Sequence, residues 1–448
     1  MTRRPAVAGR GRHPAVVIAA GFGSAVLIGT ALLATPMATA SGEGDWLTAF
    51  FTATSAVCLT GLVVVDTASH WSAFGQVVIT VLFQVGGLGI MTLATLVMVI
   101  LSGRIGLRAR LSAQLETKSV VAADLRQVLA KVVMFTLVCE AAVAAVLTVR
   151  FVTGYGEPLG RALWLGVFHG VSAFNNAGFA LWPDNLIRFV TDPWICLTIA
   201  AAVIVGGLGY PVVFELLRTW RQPRRWSVLT RVTVGLSVLL IGGGTLAFLM
   251  TEWRNPATMG PLDDSGKLLS AFFAAVMPRS GGFNTLDISQ MYPSSWLVTD
   301  ILMFIGGGSA GTAGGIKVTT FGFLVFMIWS ELRGETHVNI GHRRLPASTQ
   351  RQALSITLLG VILVALSTWL LLIISGHDLD RVLFEVISAF ATNGLSTGIT
   401  PDTSVAGHVL LSLLMFVGRI GPLTLGSALA LKQRTRRYEL PEERVIIG

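Results

Sequence analysis

Long apolar segments recur along this chain, and they restrict the possible folds more than any other feature. Eight of them exceed the length of about 20 residues that a helix needs to cross a bilayer. They cover residues 14–36, 74–101, 128–150, 193–217, 229–250, 296–330, 352–374 and 405–431. Only 13% of the 448 residues are charged, against about 25% in soluble domains. The sequence therefore predicts an all-α polytopic membrane protein with eight transmembrane spans, and it argues against a soluble enzyme or a disordered chain.

Four shorter, semi-polar segments lie between the first and second, third and fourth, fifth and sixth, and seventh and eighth predicted spans. They cover residues 45–58, 160–175, 265–277 and 380–391, which is too few residues to cross a membrane. A polar turn with a glycine follows each one, and the central glycines are Gly61, Gly178, Gly282 and Gly394. This repetition predicts four tandem units of helix, pore helix and helix, in a pseudo-fourfold arrangement around one pore.

The repeat divides the chain into units at residues 1–110, 111–220, 221–340 and 341–432, with a tail at 433–448. The second span of the third unit is predicted to be broken. We interpret the first apolar segment as an uncleaved span, because it is longer than the apolar core of a signal peptide. If the N-terminus is cytoplasmic, 24 of the 33 Lys and Arg residues lie on its side. This bias predicts that both termini are cytoplasmic, and it explains the net charge of +9 without a nucleic-acid partner.

The glycine turns are the candidate ion-binding site. Irregular backbone at membrane depth must be shielded by protein or line a wet pathway, and a ring of carbonyl oxygens can replace the hydration shell of a monovalent cation. Glycine suits such a turn because its φ can be positive and it adds no side chain. The candidate filter residues are Thr60, Gly61, Asn176, Ala177, Gly178, Gly281, Gly282, Asn393 and Gly394. The alternative is that these glycines only allow close helix packing; their recurrence at the same place in four units disfavours it.

A second glycine-rich run, residues 304–317, lies within the sixth apolar segment. Its composition predicts an unwound loop between two half-helices. A nucleotide-binding P-loop is excluded because the run ends in Ile316-Lys317-Val318 and not in Gly-Lys-Ser/Thr. Arg419 lies in the last span, where an arginine needs partners; the alternative to a gating role is a structural tie between helices. The candidate gate residues are Gly306, Gly307, Gly308, Ser309, Gly311, Thr312, Gly314, Gly315, Lys317 and Arg419.

Other polar residues favour structural roles. We expect Glu140, in the third span, to make an interhelical hydrogen bond rather than an ion site. Asn175, Asn176 and Asn393 are expected to support the turns with their side chains. The cysteines Cys58, Cys139 and Cys196 are interpreted as packing residues, since none has a partner at metal-ligand spacing. No catalytic constellation is recognisable, so we expect neither enzyme activity, nor catalytic residues, nor a covalently bound cofactor.

The segments around the turns resemble filter regions of the Trk/Ktr/HKT potassium transporter superfamily. Residues 53–62 (ATSAVCLTGL), 168–179 (FHGVSAFNNAGF) and 384–398 (FEVISAFATNGLSTG) carry the resemblance, and 277–285 (MPRSGGFNT) is similar. The span count and the tail at 437–448 most resemble the KtrB-type membrane subunit of bacterial Ktr systems.

The resemblance implies potassium uptake across a bacterial plasma membrane through a channel-like subunit, with K⁺ held by filter carbonyls. It further implies a homodimer in the lipid bilayer, a glycine-rich gate loop beneath the filter, and a cytoplasmic RCK-domain regulator of KtrA type that carries the nucleotide. Plant relatives with serine in the first turn favour sodium, so Gly61 favours potassium, with Na⁺ as a candidate activator. The alternatives are a coupled cation symporter and the potassium-translocating subunit of an ATP-driven complex.

Overall fold

The structure, a computed structural model, describes residues 14–110, 117–309, 311–341 and 343–431. The basic N-terminal residues, the tail at 433–448 and Ala310 of the glycine-rich run lie outside the described residues. Within them the chain is mainly helical. Its two strands, β1 (Asn339–Ile340) and β2 (Arg343–Arg344), form a short antiparallel hairpin.

Fifteen α-helices are present in the described ranges. The first eight are α1 (Pro14–Leu33), α2 (Trp46–Val57), α3 (Thr67–His70), α4 (Ala73–Arg110), α5 (Thr117–Tyr155), α6 (Leu159–Phe174), α7 (Pro193–Leu208) and α8 (Tyr210–Thr219). The others are α9 (Val228–Glu252), α10 (Asp264–Val276), α11 (Pro293–Phe304), α12 (Val318–Leu332), α13 (Ala347–Ser375), α14 (Leu379–Ala391) and α15 (Val405–Leu431).

Four short helices, α2, α6, α10 and α14, have 12 to 16 residues. Each coincides to within one residue at either end with a short segment noted in the sequence. Capping explains where α2 begins. The Asp45 carboxylate accepts hydrogen bonds from the amides of Leu47 (3.3 Å) and Thr48 (2.9 Å), which would otherwise be unpaired. The Thr48 hydroxyl also donates to this carboxylate and lowers the pKa of Asp45.

The helices pack in a cyclic order. Within each unit the short helix contacts the long helix before it: α1 with α2, α5 with α6, α9 with α10, and α13 with α14. Between units, the helix after each turn contacts the next short helix: α4 with α6, α7 with α10, α11 with α14, and α15 with α2. The last of these contacts joins the fourth unit to the first. The short helices and the turns that follow them are therefore enclosed by the long helices.

Polarity is distributed in the opposite sense to that of a soluble protein. The long helix α13 has an apolar outer face, where Leu358, Ile362, Trp369 and Ile373 are each more than half exposed. Polar side chains of the turns are instead fully buried, among them Thr60, Asn175, Asn176, Thr392 and Asn393. An apolar exterior around a polar centre is the arrangement expected for a protein surrounded by lipid.

Three described helices are long and apolar enough to cross a membrane: Gln127–Tyr155, Val228–Glu252 and Ala347–Ser375. Helices α7 and α8 form a fourth candidate, bent by 104°. Other apolar helices are shorter, as at Ala73–Gly89 and Val405–Gly421. The count of eight spans therefore remains a prediction.

Two long segments are interrupted. Between α11 and α12 the described residues, 305–309 and 311–317, are not helical. The second break, between α7 and α8, was not predicted, because the apolar segment 193–217 reads as one continuous span in the sequence. Gly209 has φ 89° and ψ 145°, a region open essentially to glycine alone, and Pro211 then lies in the first turn of α8.

Candidate functional site

The four glycine turns share one backbone conformation. In each turn the central glycine has a positive φ, and so does the residue two positions before it. The glycines are Gly61 (86°), Gly178 (72°), Gly282 (72°) and Gly394 (96°), and their partners are Leu59 (56°), Asn176 (57°), Ser280 (78°) and Thr392 (48°). Only one further non-glycine residue in the described ranges has a positive φ, Asn185. Left-handed backbone is costly for such residues, so four equivalent cases indicate that the surroundings enforce it.

The turns lie next to one another in a closed ring. A Cβ atom added to Gly61 would lie 2.6 Å from the carbonyl oxygen of Ala177, and one added to Gly178 would lie 2.9 Å from the Cα of Gly282. One added to Gly282 would meet the Asn393 carbonyl oxygen, and one on Gly394 would meet that of Thr60. The first turn thus contacts the second, the second the third, the third the fourth, and the fourth the first. No side chain fits at any of the four glycines.

A serine six residues before the glycine ties three of the turns to their own short helices. The Gly61 amide donates to Ser55 Oγ (3.0 Å), and the Gly394 amide donates to Ser388 Oγ (3.1 Å). In the second turn Ser172 Oγ donates instead to the carbonyl oxygen of Phe179 (2.9 Å). These bonds hold the backbone of each turn against the helix that precedes it.

The third unit has Val276 at the corresponding position and lacks this hydroxyl. Its turn is bonded to the fourth turn instead. Ser280 Oγ donates to the carbonyl oxygen of Thr392 (3.0 Å), and Asn393 Nδ2 donates to that of Met277 (2.9 Å). The third turn is therefore supported by side chains that bridge two units.

Glu140 supports the second turn from α5. Its carboxylate accepts hydrogen bonds from Asn175 Nδ2 (2.8 Å) and from Gln84 Nε2 (3.2 Å), which confirms the predicted interhelical bond. Asn175 and Asn393 both use their side-chain amides as expected. The same expectation was wrong for Asn176, because its side-chain oxygen and nitrogen are buried without a hydrogen-bond partner in the described structure.

The glycine-rich loop at 305–317 lies in the groove opened by the bend between α7 and α8. The amide of Gly308 donates to the carbonyl oxygen of Gly207 (2.8 Å), and that of Thr312 donates to that of Gly206 (3.2 Å). A Cβ on Gly308 would collide with the carbonyl of Leu208. The loop can approach this closely because Gly308 has no side chain. Its amides donate to carbonyls that the helix break leaves free.

The loop also touches the fourth turn. A Cβ on Gly314 would collide with Thr392 Oγ1 and would lie 2.8 Å from the carbonyl oxygen of Ala391. A Cβ on Gly315, where φ is 64°, would lie 3.2 Å from Ala391 Cα. The structure thus brings two of the candidate gate residues, Gly314 and Gly315, against the end of α14, beside the fourth turn.

Two basic side chains end at the loop. Arg419, which is buried, donates from Nη1 to the carbonyl oxygen of Thr312, while its Nε and Nη2 have no partner in the described structure. Lys317 donates from Nζ to the carbonyl oxygen of Ala313. Neither forms a salt bridge with any described residue. Ser309 is placed differently, because its hydroxyl bonds that of Thr319 in α12 (2.7 Å).

Arg279 is a basic residue that was not singled out from the sequence. Its side chain is buried behind the third turn, and its Nη2 donates to Ser237 Oγ of α9 (3.0 Å). The turn residues beside it gave no signal of burial. Gly207 and Gly307 line the same small space, so this arginine lies close to both the turn and the loop.

Few side chains at the site could bind a cation directly. In the described ranges no three His, Cys, Asp or Glu side chains come together to hold a metal ion. The thiols of Cys58 and Cys196 are buried and unpaired by disulfides, and that of Cys139 is partly buried.

Comparison with known proteins matches residues 12–435 to TrkH, a family described as cation transport proteins. The chain belongs to the TrkH family. This confirms the resemblance drawn from the turn motifs. It also makes the chain a membrane protein from a family of cation transporters and not from a class of enzymes.

Relatives within the TrkH family match nearly end to end. The Ktr system potassium uptake protein B of Bacillus subtilis is 38% identical, with 97% of each chain covered. Its namesake in Vibrio alginolyticus is 37% identical over 98% of this chain and 96% of the relative. The potassium/sodium uptake protein NtpJ of Enterococcus hirae is 33% identical, with 97% of each chain covered.

A solved structure also resembles the chain. The potassium transporter TrkH from Vibrio parahaemolyticus superposes with a TM-score of 0.71 at 18% identity. The match covers 96% of this chain and 87% of that one. The predominantly helical TrkH-family fold is therefore shared.

Proposed function

We propose that this chain takes up potassium across the plasma membrane of a bacterium as the channel-like subunit of a Ktr-type system. The closed ring of four glycine turns with matching φ angles carries the proposal. The names of the relatives in Bacillus and Vibrio support potassium as the cation. The membrane potential would drive the ion inward.

In this proposal the ring is the selectivity filter. Its residues are Thr60, Gly61, Asn176, Ala177, Gly178, Gly281, Gly282, Asn393 and Gly394, with backbone carbonyls as the K⁺ ligands. The C-terminal ends of α2, α6, α10 and α14 lead into the turns, so their partial negative charges would add to the attraction for a cation. Carbonyl ligands suit a weakly hydrated monovalent ion better than calcium or magnesium, which prefer carboxylates.

The glycine-rich loop is the proposed gate. It lies against the fourth turn, where it would obstruct an ion leaving the filter, and glycines let it move without displacing side chains. Arg419 and Lys317 add positive charge at the loop, and no described carboxylate neutralises either one. Both features oppose cation passage while the loop is in place.

The wider architecture follows from the same proposal. The cyclic contacts of the short helices support a pseudo-fourfold pore built from eight spans. Both termini would be cytoplasmic, and two copies of the chain would form a homodimer. The Ktr system relatives support a multi-component assembly, in which an RCK subunit of KtrA type would bind the regulating nucleotide. The name of the Enterococcus relative supports sodium as a second transported or activating ion.

A coupled symporter is the second candidate. Broken helices such as α7–α8 and α11–α12 are common in coupled transporters. The two mechanisms differ in reversal potential. A channel-like pore reverses near the potassium equilibrium potential, whereas a coupled carrier also follows the sodium gradient.

Flux in proteoliposomes tests the proposal. The purified chain should admit rubidium down a potassium gradient, sodium should compete weakly, and an RCK subunit should change the rate. Empty liposomes are the control. Failure of the chain to pass rubidium or potassium under any gradient, followed by rescue with an ATPase partner, would favour an ATP-driven complex and reject the channel.

A further inference from the structure

Ser280 has an unusual place in the third turn. Its side chain is almost completely buried, at 2% exposure, and its φ is 78°. Asparagine tolerates this conformation better than most residues, and Asn176 occupies the same position in the second turn. Serine does not tolerate a positive φ as well as asparagine does. The contacts of its hydroxyl are therefore the features to inspect for what stabilises this conformation.

That hydroxyl makes two hydrogen bonds whose directions are unambiguous. It donates to the carbonyl oxygen of Thr392 (3.0 Å), because a carbonyl can only accept. It accepts from the amide of Gly314 (3.0 Å), because an amide N–H can only donate. One side chain of the third turn is thereby bonded both to the backbone of the fourth turn and to the backbone of the loop.

The other turns lack this connection. Leu59 and Asn176 occupy the equivalent positions in the first two units. Thr392 occupies it in the fourth, and its buried hydroxyl has no partner among the described residues although it lies against Gly314. The loop belongs to the third unit, and in that unit the residue at this position, Ser280, accepts a hydrogen bond from the loop.

We propose that Ser280 couples the position of the loop to the geometry of the fourth turn at Thr392, the residue directly before the proposed filter residues Asn393 and Gly394. The inference rests on the proposed filter and gate. When the loop withdraws, Ser280 loses its amide donor, and its remaining bond to Thr392 weakens because linked hydrogen bonds polarise one another. By linkage, an ion that favours one position of the Thr392 carbonyl also favours one position of the loop.

Two variants separate the hydroxyl from the backbone strain. Ser280→Ala and Ser280→Gly both remove the hydroxyl, but only glycine also relieves the positive φ. We expect both to raise rubidium flux without the regulator and to lower potassium over sodium discrimination, each by about five-fold, as for a lost buried hydrogen bond. A Ser280→Gly protein that behaves like wild type while Ser280→Ala is altered would assign the effect to strain and overturn the proposal.

A double variant tests the coupling itself. In a protein lacking residues 306–314, Ser280→Gly should change discrimination less than in the chain that has the loop, because only the weakened bond to Thr392 is then left to remove. Equal effects with and without the loop would mean that Ser280 acts on the filter alone, against the proposal. Ser412→Ala, which removes a buried hydroxyl without a described partner, is the matched control and should leave both properties unchanged.

Measurements on the wild-type chain distinguish failure of the proposed function from failure of the proposed role of Ser280. Wild-type protein that passes no rubidium contradicts the proposed function. Wild-type flux with unaltered Ser280→Ala and Ser280→Gly proteins contradicts only the role of Ser280. If Ser280→Ala does not assemble, Ser280→Cys keeps a weak donor and should fall between wild type and Ser280→Gly in both measurements; a cysteine variant indistinguishable from glycine would count against the hydroxyl.

Discussion

The backbone amide of Gly308 lies 2.8 Å from the carbonyl oxygen of Gly207 and donates a hydrogen bond to it. The bond joins the loop of the third unit to the broken helix of the second. It exists because the chain turns by 104° after Leu208, which leaves the last carbonyls of α7 without amides from their own helix. The bend is thus a docking site for the loop as well as a change of direction.

Gly209→Ala should disturb that docking site. Alanine is strained at φ 89° and ψ 145°, at a cost of about 1–3 kcal/mol. We expect a lower melting temperature and higher rubidium flux without the regulator, both measured on purified protein. Gly235→Ala is the control, since a Cβ there meets nothing within 4 Å and alanine suits a helix. If Gly209→Ala has the same flux as wild type, the bend does not control the loop.

Gly61→Ser should impair the filter. A Cβ at Gly61 would lie 2.6 Å from the Ala177 carbonyl oxygen, so the first two turns must move apart. We expect weaker discrimination of potassium against sodium in liposome flux. Gly398→Ser provides the comparison, because Gly398 has a similar φ of 93° but open space around it. Equal selectivity in the two variants would contradict the filter assignment.

Deletion of residues 306–314 should open the pore. The deletion removes the loop from the fourth turn while leaving α11 and α12 in the chain. Rubidium flux without the regulator should then rise, and adding the regulator should have less effect. An unchanged rate in a deletion variant that remains folded would mean that the loop does not gate.

Arg419→Gln tests the positive charge at the loop. Glutamine can still donate to the Thr312 carbonyl but carries no charge, so cation flux should rise by about three- to ten-fold if the charge opposes cations by about 1 kcal/mol. Arg419→Lys keeps the charge and should change flux less. Arg188→Gln, which breaks an exposed salt bridge, is the control. Similar flux from the glutamine and lysine variants would mean that Arg419 links helices structurally and does not act through its charge.

Glu140→Leu should destabilise the second turn. The change removes the acceptor of the half-buried Gln84 amide, and a donor left without a partner costs about 1–3 kcal/mol. It also removes one of three acceptors of Asn175 Nδ2, which keeps Gln84 Oε1 and the carbonyl oxygen of Val171. Thermal unfolding should occur at a lower temperature than for wild type. Glu140→Gln retains one carbonyl acceptor and should cost less; a leucine variant as stable as the glutamine variant would show that these bonds contribute little.

Local signals explain what could be predicted from the sequence. The short helices were located to within a residue because a polar turn with glycine ends each one. The bend at Gly209 was missed, since a glycine run looks the same whether it packs helices or breaks one. The hydrogen bonds of Ser280 could not be predicted from the sequence either, because Thr392 lies 112 residues away. The burial of Arg279 likewise depends on Ser237, 42 residues distant.

Val276 stands where the other three units have a serine that braces the turn. Three of the four turns are consequently hydrogen-bonded to their own short helix. The third turn is hydrogen-bonded to the fourth turn instead. We therefore expect the third turn, which belongs to the unit with the loop, to loosen when its bonds to the fourth turn are broken. A change in the fourth turn would be transmitted to the third in this way, whereas the first two turns keep the bonds to their own short helices.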